Sequence, residues 1–428
     1  MVGARTAVLL VPPTIYLLSN FHRVAPAVVA SDLMKAFSIT AASLGTLAAI
    51  YPYVFAVMAL VAGSLVETLG PRLTLTSGAA AMAAGTVLFG LAPVFGVAVV
   101  GRLLIGLGAS VILIAWLSLA AAWYEPQRFA TISGWTQTVG NLGALTASSP
   151  LALAVEAIGW RSTFVVVGAV TFLPALAALL LVRDRPEQAP GRPDPGPRRV
   201  APALGDVLSS IPAIFANSRS WPPVIAAAFV YATLISLLGL WGVPYLMQIY
   251  GLGRVAAANT LAWLAIGIVV GSPLIGWLSD RRLGLRKLPL AVSTGLYAVC
   301  WLALIATGDA RWPVTLLAPL FLVMGLTASG LILVWACVRE VNDPARVGIV
   351  IGFCNAPIFL AFAILQWLTG AILDAKWAGL VRGGVRIYPE AGYRTAFGVC
   401  LGLAAVALVS TLFVTETRCR NIWRRAAH

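Results

Sequence analysis

IGLGASVILIAW at residues 105–116 returns, nearly position by position, as MGLTASGLILVW at 324–335, and EPQRFATISG at 125–134 returns as DPARVGIVIG at 343–352. Each pair covers the end of one long apolar run, a short polar turn and the start of the next run. Apolar bias alone can align two hydrophobic runs, but it does not bring the intervening polar turn into the same register. The second half of the chain therefore restates the first, and the architecture to expect is two related bundles of helices.

Working outward from that repeat, apolar runs recur along nearly the whole chain, at roughly 7–30, 43–66, 73–95, 97–121, 130–155 and 163–183, then at 221–249, 254–279, 288–308, 312–337, 347–373 and 393–415. About 20 apolar residues suffice to cross a hydrocarbon core of roughly 30 Å. Hydrophobic residues make up 60% of the chain and charged ones only 10%, against about 25% charged in globular proteins; the mean hydropathy is +0.93. A water-soluble fold could not bury that much apolar surface. The expected fold is an all-α membrane protein of about twelve spans in two six-helix bundles, 1–183 and 221–428. A polar linker, 184–220, joins them and contains PEQAPGRPDPGPRR, whose proline, glycine and charge keep it in water. The first run lacks the short apolar core and cleavage site of a removable signal peptide and is expected to persist as helix 1.

The net charge of +14 does not mark a nucleic-acid binder, because the basic residues sit in short loops with no basic, aromatic-lined face. With both termini in the cytoplasm, about 19 Lys and Arg fall on that side and about 8 outside, the bias that orients bacterial inner-membrane proteins. The five cysteines, four of them inside apolar runs, form no disulfide framework, and two histidines, His22 and His428, cannot build a metal cluster. No glycine-rich phosphate loop with its lysine is present, so neither ATP nor any other cofactor is implied, and no gathering of acids or histidines marks an enzyme.

Two loops carry a further signal. Gly63-Ser-Leu-Val-Glu67-Thr-Leu-Gly70-Pro-Arg72 follows helix 2, and Gly276-Trp-Leu-Ser-Asp280-Arg281-Arg282-Leu-Gly284-Leu-Arg286-Lys287 follows helix 8. Both resemble the G-x-x-x-D-R-x-G-R-R loop of the major facilitator superfamily, which occurs at these two places. The resemblance implies a cytoplasmic latch in which glycine permits close helix approach and the acid meets a helix dipole or an arginine. Glu67 replaces the usual aspartate and lacks the following arginine; the second copy carries one extra residue before Gly284. Arg102-Leu-Leu-Ile-Gly106-Leu-Gly108 resembles a second family motif, whose arginine faces a central cavity, and Gly159-Trp160-Arg161 is also similar to the family. Helix 5, with Gly140-Asn141-Leu-Gly143 and Ser148-Ser149-Pro150, departs from the glycine-proline run of many exporters.

Charge inside a span costs about 2.5–3.5 kcal/mol on insertion scales, and within the spans only His22, Arg23 and Arg102 bear it. Asn20-Phe21-His22-Arg23-Val24-Ala25-Pro26 resembles helix 1 of organic-anion transporters of that superfamily, and of a proteobacterial group of amino-acid importers. In the anion porters an Asp-Arg pair stands there, the arginine holding a carboxylate and the aspartate taking part in proton coupling. Here Arg23 matches the arginine and His22 takes the place of the aspartate. Arginine's planar fork suits a carboxylate, and Pro26, lacking an N–H, frees the His22 carbonyl. The alternative is that Arg23 and Arg102 snorkel outward or pair with an acid such as Asp32. His22 either carries a proton or packs in the helix with one hydrogen bond. Further cavity candidates are Gln137, Asn141, Tyr231, Trp241, Tyr245, Trp335 and Asn355, with ordinary packing as the competing role; Pro244 frees the Leu240 carbonyl. No carboxylate lies mid-span, which disfavours a cationic substrate.

The sequence thus points to a monomeric secondary transporter moving a small organic anion, or a zwitterion such as an amino acid, with a proton or counter-anion as coupling partner. Efflux of hydrophobic compounds and a transport-inactive receptor on the same fold are the competing readings.

Overall fold

The computed structural model describes residues 2–124, 126–185, 215–306, 311–343 and 347–423. The middle of the expected linker and the Gln137 side chain lie outside the described residues.

Nearly every described element is a helix. In chain order they are α1 (Val2–Val24), α2 (Pro26–Phe37), α3 (Ala41–Leu69), α4 (Pro71–Leu91), α5 (Phe95–Trp123), α6 (Pro126–Thr146) and α7 (Ser149–Leu181). There follow α8 (Trp221–Ser236), α9 (Gly242–Tyr250), α10 (Arg254–Trp277), α11 (Lys287–Ile305), α12 (Val314–Ala328), α13 (Ile332–Glu340), α14 (Val347–Ala375) and α15 (Glu390–Leu412). Ten stretches of the described chain are long and apolar enough to cross a membrane. One of them, Thr138–Leu181, is 44 residues long and turns back at Gly159, whose φ is 77°, so it holds two spans. Helix 1 is interrupted at Ala25, between α1 and α2. Counting both, the twelve spans expected from the sequence are present.

The departures from regular helix have local causes. Pro26 cannot donate to the His22 carbonyl and its ring crowds it, so α1 ends and α2 starts afresh with proline at its first position. Between α8 and α9 the chain widens into a π-turn, Leu237–Trp241, in which Gly242 N donates to the Leu237 carbonyl, just ahead of Pro244. A second π-turn, Leu278–Leu283, carries helix 8 beyond the boundary at 279 that hydropathy places, because Asp280, Arg281 and Arg282 continue the helix while ending its apolar run.

Two compact units emerge from the packing. One holds the described residues of Met1–Arg23, Val57–Thr146 and Ala154–Ser209; the other holds those of Val24–Ala56, Ala147–Leu153 and Ser210–His428. In the first, α4 and α5 lie against each other along a glycine seam: a Cβ on Gly85 would sit 2.7 Å from the Gly101 carbonyl oxygen, and one on Gly101 would sit 2.8 Å from that of Gly85. In the second, α8 and its π-turn are largely enclosed, and the core gathers Val224, Leu290, Val334, Val338, Cys354 and Ile358. Leucines and valines of α7, α11 and α15, such as Leu180, Val299 and Val409, point outward, as lipid-facing supports require. A short hairpin, β1 (Val381–Arg382) with β2 (Val385–Arg386), turns through Gly383 and Gly384, both at positive φ. A Gly-Gly pair between valine-bearing strands is a hairpin signal.

Candidate functional site

The break in helix 1 organises the site in the first unit. The His22 carbonyl, deprived of its helical donor by Pro26, accepts a 2.6 Å hydrogen bond from Arg102 Nη1 on α5. Arg102 is 4% exposed. The His22 side chain is fully enclosed: its Nε2 lies 3.3 Å from Thr86 Oγ1 on α4, its ring meets Phe21 edge-on at 5.3 Å, and its Nδ1 has no hydrogen-bond partner among the described residues. Thr86 was not among the sequence candidates, since a lone threonine in an apolar run carries no distinguishing signal.

Arg23 is half-buried, in contrast to the enclosed His22 before it. Asn20 is buried and donates its amide to the Tyr16 carbonyl, one turn back, at 2.9 Å. Asn141, on α6, is half-buried. The structure therefore gathers His22, Thr86 and Arg102 around the helix break, directly beside Arg23.

The second unit sorts its candidates into two groups. Trp241 is enclosed and donates from Nε1 to Thr369 Oγ1 at 2.7 Å. Tyr245 packs in an aromatic cluster with Tyr250, Tyr393 and Phe397 at 5.6, 5.3 and 5.0 Å. Tyr231 is half-exposed and meets Phe359 and Phe362 edge-on at 5.9 and 5.8 Å; Phe55 stacks on Phe359 at 5.0 Å. Trp335 is partly buried against the core of this unit, and Asn355 is half-buried. The aromatics Phe55 and Phe359 were not singled out from the sequence, because phenylalanine in a span reads first as packing.

The two loops expected to act as latches share a construction, each within its own unit. Gly70 has φ 85° and Gly284 has φ 61°, a region that side chains with a Cβ rarely enter, and each glycine leads into the next helix. In the first loop Asp184 Oδ1 accepts from Arg72 N at 2.7 Å, and the Arg72 guanidinium bonds the Leu179 carbonyl. Glu67 is half-buried and Gly63 has open space beside it. In the second loop Glu416 accepts from Arg286 N and Lys287 N at 2.9–3.1 Å. Arg286 itself is enclosed and reaches Asp280 Oδ1 at 2.5 Å, Glu340 Oε1 at 2.9 Å and Ser279 Oγ at 2.9 Å. Arg281 is exposed, and Gly276 has open space beside it. Asp184 and Glu416, which carry the caps, went unnoticed in the sequence because they follow the sixth and twelfth spans, far along the chain from the helices they cap. Burial alone would raise the Glu416 carboxyl, but the backbone N–H groups of Arg286, Arg418, Lys287 and Thr417 outweigh it and hold it below the ordinary carboxylate range.

Twelve apolar spans in two halves of like construction, with a cation beside a broken first helix, define a multi-pass membrane transporter. Residues 14–281 and 242–421 match the profile of the Major Facilitator Superfamily, and the chain belongs to that family. It is 24% identical over 403 residues to the Hexuronate transporter of Bacillus subtilis, covering 87% of this chain and 89% of the relative. It is 25% identical over 269 residues to the Probable sulfoacetate transporter SauU of Cupriavidus necator, covering 62% and 63%. Among solved structures, a bacterial homologue of the human lysosomal transporter Spinster superposes with a TM-score of 0.76 at 20% identity, covering 96% of each chain. The family and the fold are those of transporters, not enzymes.

Proposed function

We propose that this protein is a secondary transporter of a small organic anion, working by alternating access about a site near the middle of the membrane. The observation that carries the reading is the half-buried Arg23 at the break of helix 1, next in the chain to His22, whose carbonyl Arg102 holds. Arg23 binds the substrate carboxylate. Arg102, whose guanidinium is committed to the His22 carbonyl, shapes the site and adds positive potential to it. The enclosed His22, with one ring nitrogen left over, is the proton-carrying candidate. The names of two relatives, for hexuronate and sulfoacetate, belong to carboxylate-bearing anions and support this substrate class over an amino acid. Tyr231, Trp335 and Asn355 are the half-buried contacts proposed for the second half of the chain. The inner membrane and cytoplasmic termini follow from the charge bias of the loops.

The test is ligand stabilisation and proteoliposome uptake with hexuronates, sulfoacetate, amino acids and apolar drugs, for the wild type and Arg23→Ala. A hydrogen bond to a charged group is worth about 1.5–3 kcal/mol, so loss of the Arg23 fork is expected to weaken carboxylate binding by about 10- to 150-fold. Stabilisation that survives Arg23→Ala, or that comes only from apolar compounds, would favour the efflux reading. Binding without uptake would favour the receptor.

A further inference from the structure

At the start of α3, a carboxylate from one helix sits on the N-terminus of another. The first turn of α3 leaves orphan N–H donors, as every helix start does. Thr40 Oγ1 takes the one from Ser43, at 3.2 Å. The other two belong to a distant residue: Asp374, in the last turn of α14, accepts from Ala41 N at 3.0 Å and from Ala42 N at 2.7 Å, one oxygen to each. Tyr388 completes the arrangement, its hydroxyl donating to Asp374 Oδ1 at 2.9 Å and accepting from Ala41 N at 3.0 Å. A charge straddling a helix N-terminus in this way is stabilised both by the hydrogen bonds and by the helix dipole.

The surroundings are built for this contact. Gly370, one turn before Asp374, lies so close to the Ala41 carbonyl that a Cβ has no room, and Gly45 is pressed equally against the Gln366 carbonyl. Tyr388 follows the β1–β2 hairpin, and Gln248 of α9 pins it there: Gln248 Oε1 accepts from Tyr388 N at 3.0 Å and from Tyr393 Oη at 3.2 Å, while Nε2 donates to the Arg386 carbonyl at 3.3 Å. Arg386 adds a 3.5 Å contact to Asp374 and stacks over Trp377. Nearby, Asp32 of α2 pairs with Arg254 at the start of α10 at 2.7 Å. Within the second unit, residues 24–56 are thereby tied to α10, α14 and the segment after the hairpin by polar contacts that ordinary helix packing would not require.

We propose that Asp374 and Tyr388 form the outer latch of the transport cycle: they hold the start of α3 shut and must release it whenever the substrate path opens outward. This rests on the alternating-access reading above, yet it is tested without a substrate. In a variant whose five native cysteines are replaced by serine, a single cysteine is placed at Ala48, which is enclosed in the outer half of α3. The rate at which a membrane-impermeant maleimide labels it in intact cells measures outward opening. Asp374→Ala is expected to raise that rate about tenfold or more, since two charge-assisted bonds are lost. Asp374→Asn, which keeps one acceptor, should fall between, and Tyr388→Phe should give a smaller rise. An unchanged rate in Asp374→Ala, with the thermal midpoint of the parent, overturns the latch. If that variant fails to reach the membrane, unchanged labelling in both Asp374→Asn and Tyr388→Phe overturns it instead. Faster labelling in a protein that prefers apolar substrates would keep the latch and discard the anion reading.

Discussion

Pro26 and Arg102 make sense only as a pair. Proline withholds the N–H that the His22 carbonyl needs, and arginine, 80 positions away along the chain, supplies a donor in its place. In an apolar interior an unsatisfied acceptor costs about 1–3 kcal/mol, so Arg102→Ala is expected to lower the thermal midpoint in detergent. Pro26→Ala should soften that loss, because the restored N–H can serve the same carbonyl; a purely additive double mutant would show that the two residues act separately. Glu416 gives a second residue-level prediction. Its folded carboxyl is held below its ordinary value, so its stabilising contribution is complete above the unfolded pKa and is lost as pH falls through the lower, folded one. The stability gap between wild type and Glu416→Gln is therefore expected to close on acidification below the ordinary carboxylate range, in thermal melts across pH.

At the scale of elements, helix pairing is governed by where the backbone can come close. The α4–α5 seam brings Gly85 and Gly101 into reciprocal contact at 2.7–2.8 Å of a virtual Cβ from a carbonyl oxygen. In a bilayer, where no hydrophobic drive separates lipid from leucine, such close packing supplies much of the association. Gly101→Ala meets main chain rather than a flexible side chain, so it should cost about 1–3 kcal/mol as the helices spread, read as a drop in thermal midpoint; an unaltered midpoint would mean the seam yields freely. The same scale shows where hydropathy misplaced boundaries. Helix 8 continues to Leu283 because charged residues are good helix formers once the apolar run has ended. The spans read at 130–155 and 163–183 run together into one apolar stretch, 138–181, and the turn between them falls at Gly159.

For the whole molecule, the repeat read from residues 105–134 and 324–352 reappears as construction. In each half an acid just beyond the sixth helix, Asp184 or Glu416, caps the third. The buried Arg286–Glu340 pair, by contrast, belongs to the second half: the position matching Glu340 in the repeat is Ala121, so no carboxylate waits there for Arg72, which turns to the Leu179 carbonyl instead. The charge bias of the loops predicts which end faces the cytoplasm. A cysteine at Ser38 should react with an impermeant maleimide in intact cells, and one at Thr68 only after permeabilisation; both positions are exposed. The reverse pattern would invert the orientation and exchange the meanings of inner and outer latch.

By itself, the sequence determined the number of spans, the two-fold repeat, the paired glycine- and arginine-bearing loops and the cation in helix 1, because hydropathy, spacing and the cost of intramembrane charge are all properties of the local chain. Which groups answer one another was decided by tertiary structure. Nothing in a linear reading ties Arg102 to the His22 carbonyl, Thr86 to the His22 ring, or Asp374 to the first turn of α3, since each joins helices that the chain order leaves far apart. The reason is physical: inside a bilayer a polar group finds its partner on whichever helix packs nearest, and packing is set by shape across the whole fold.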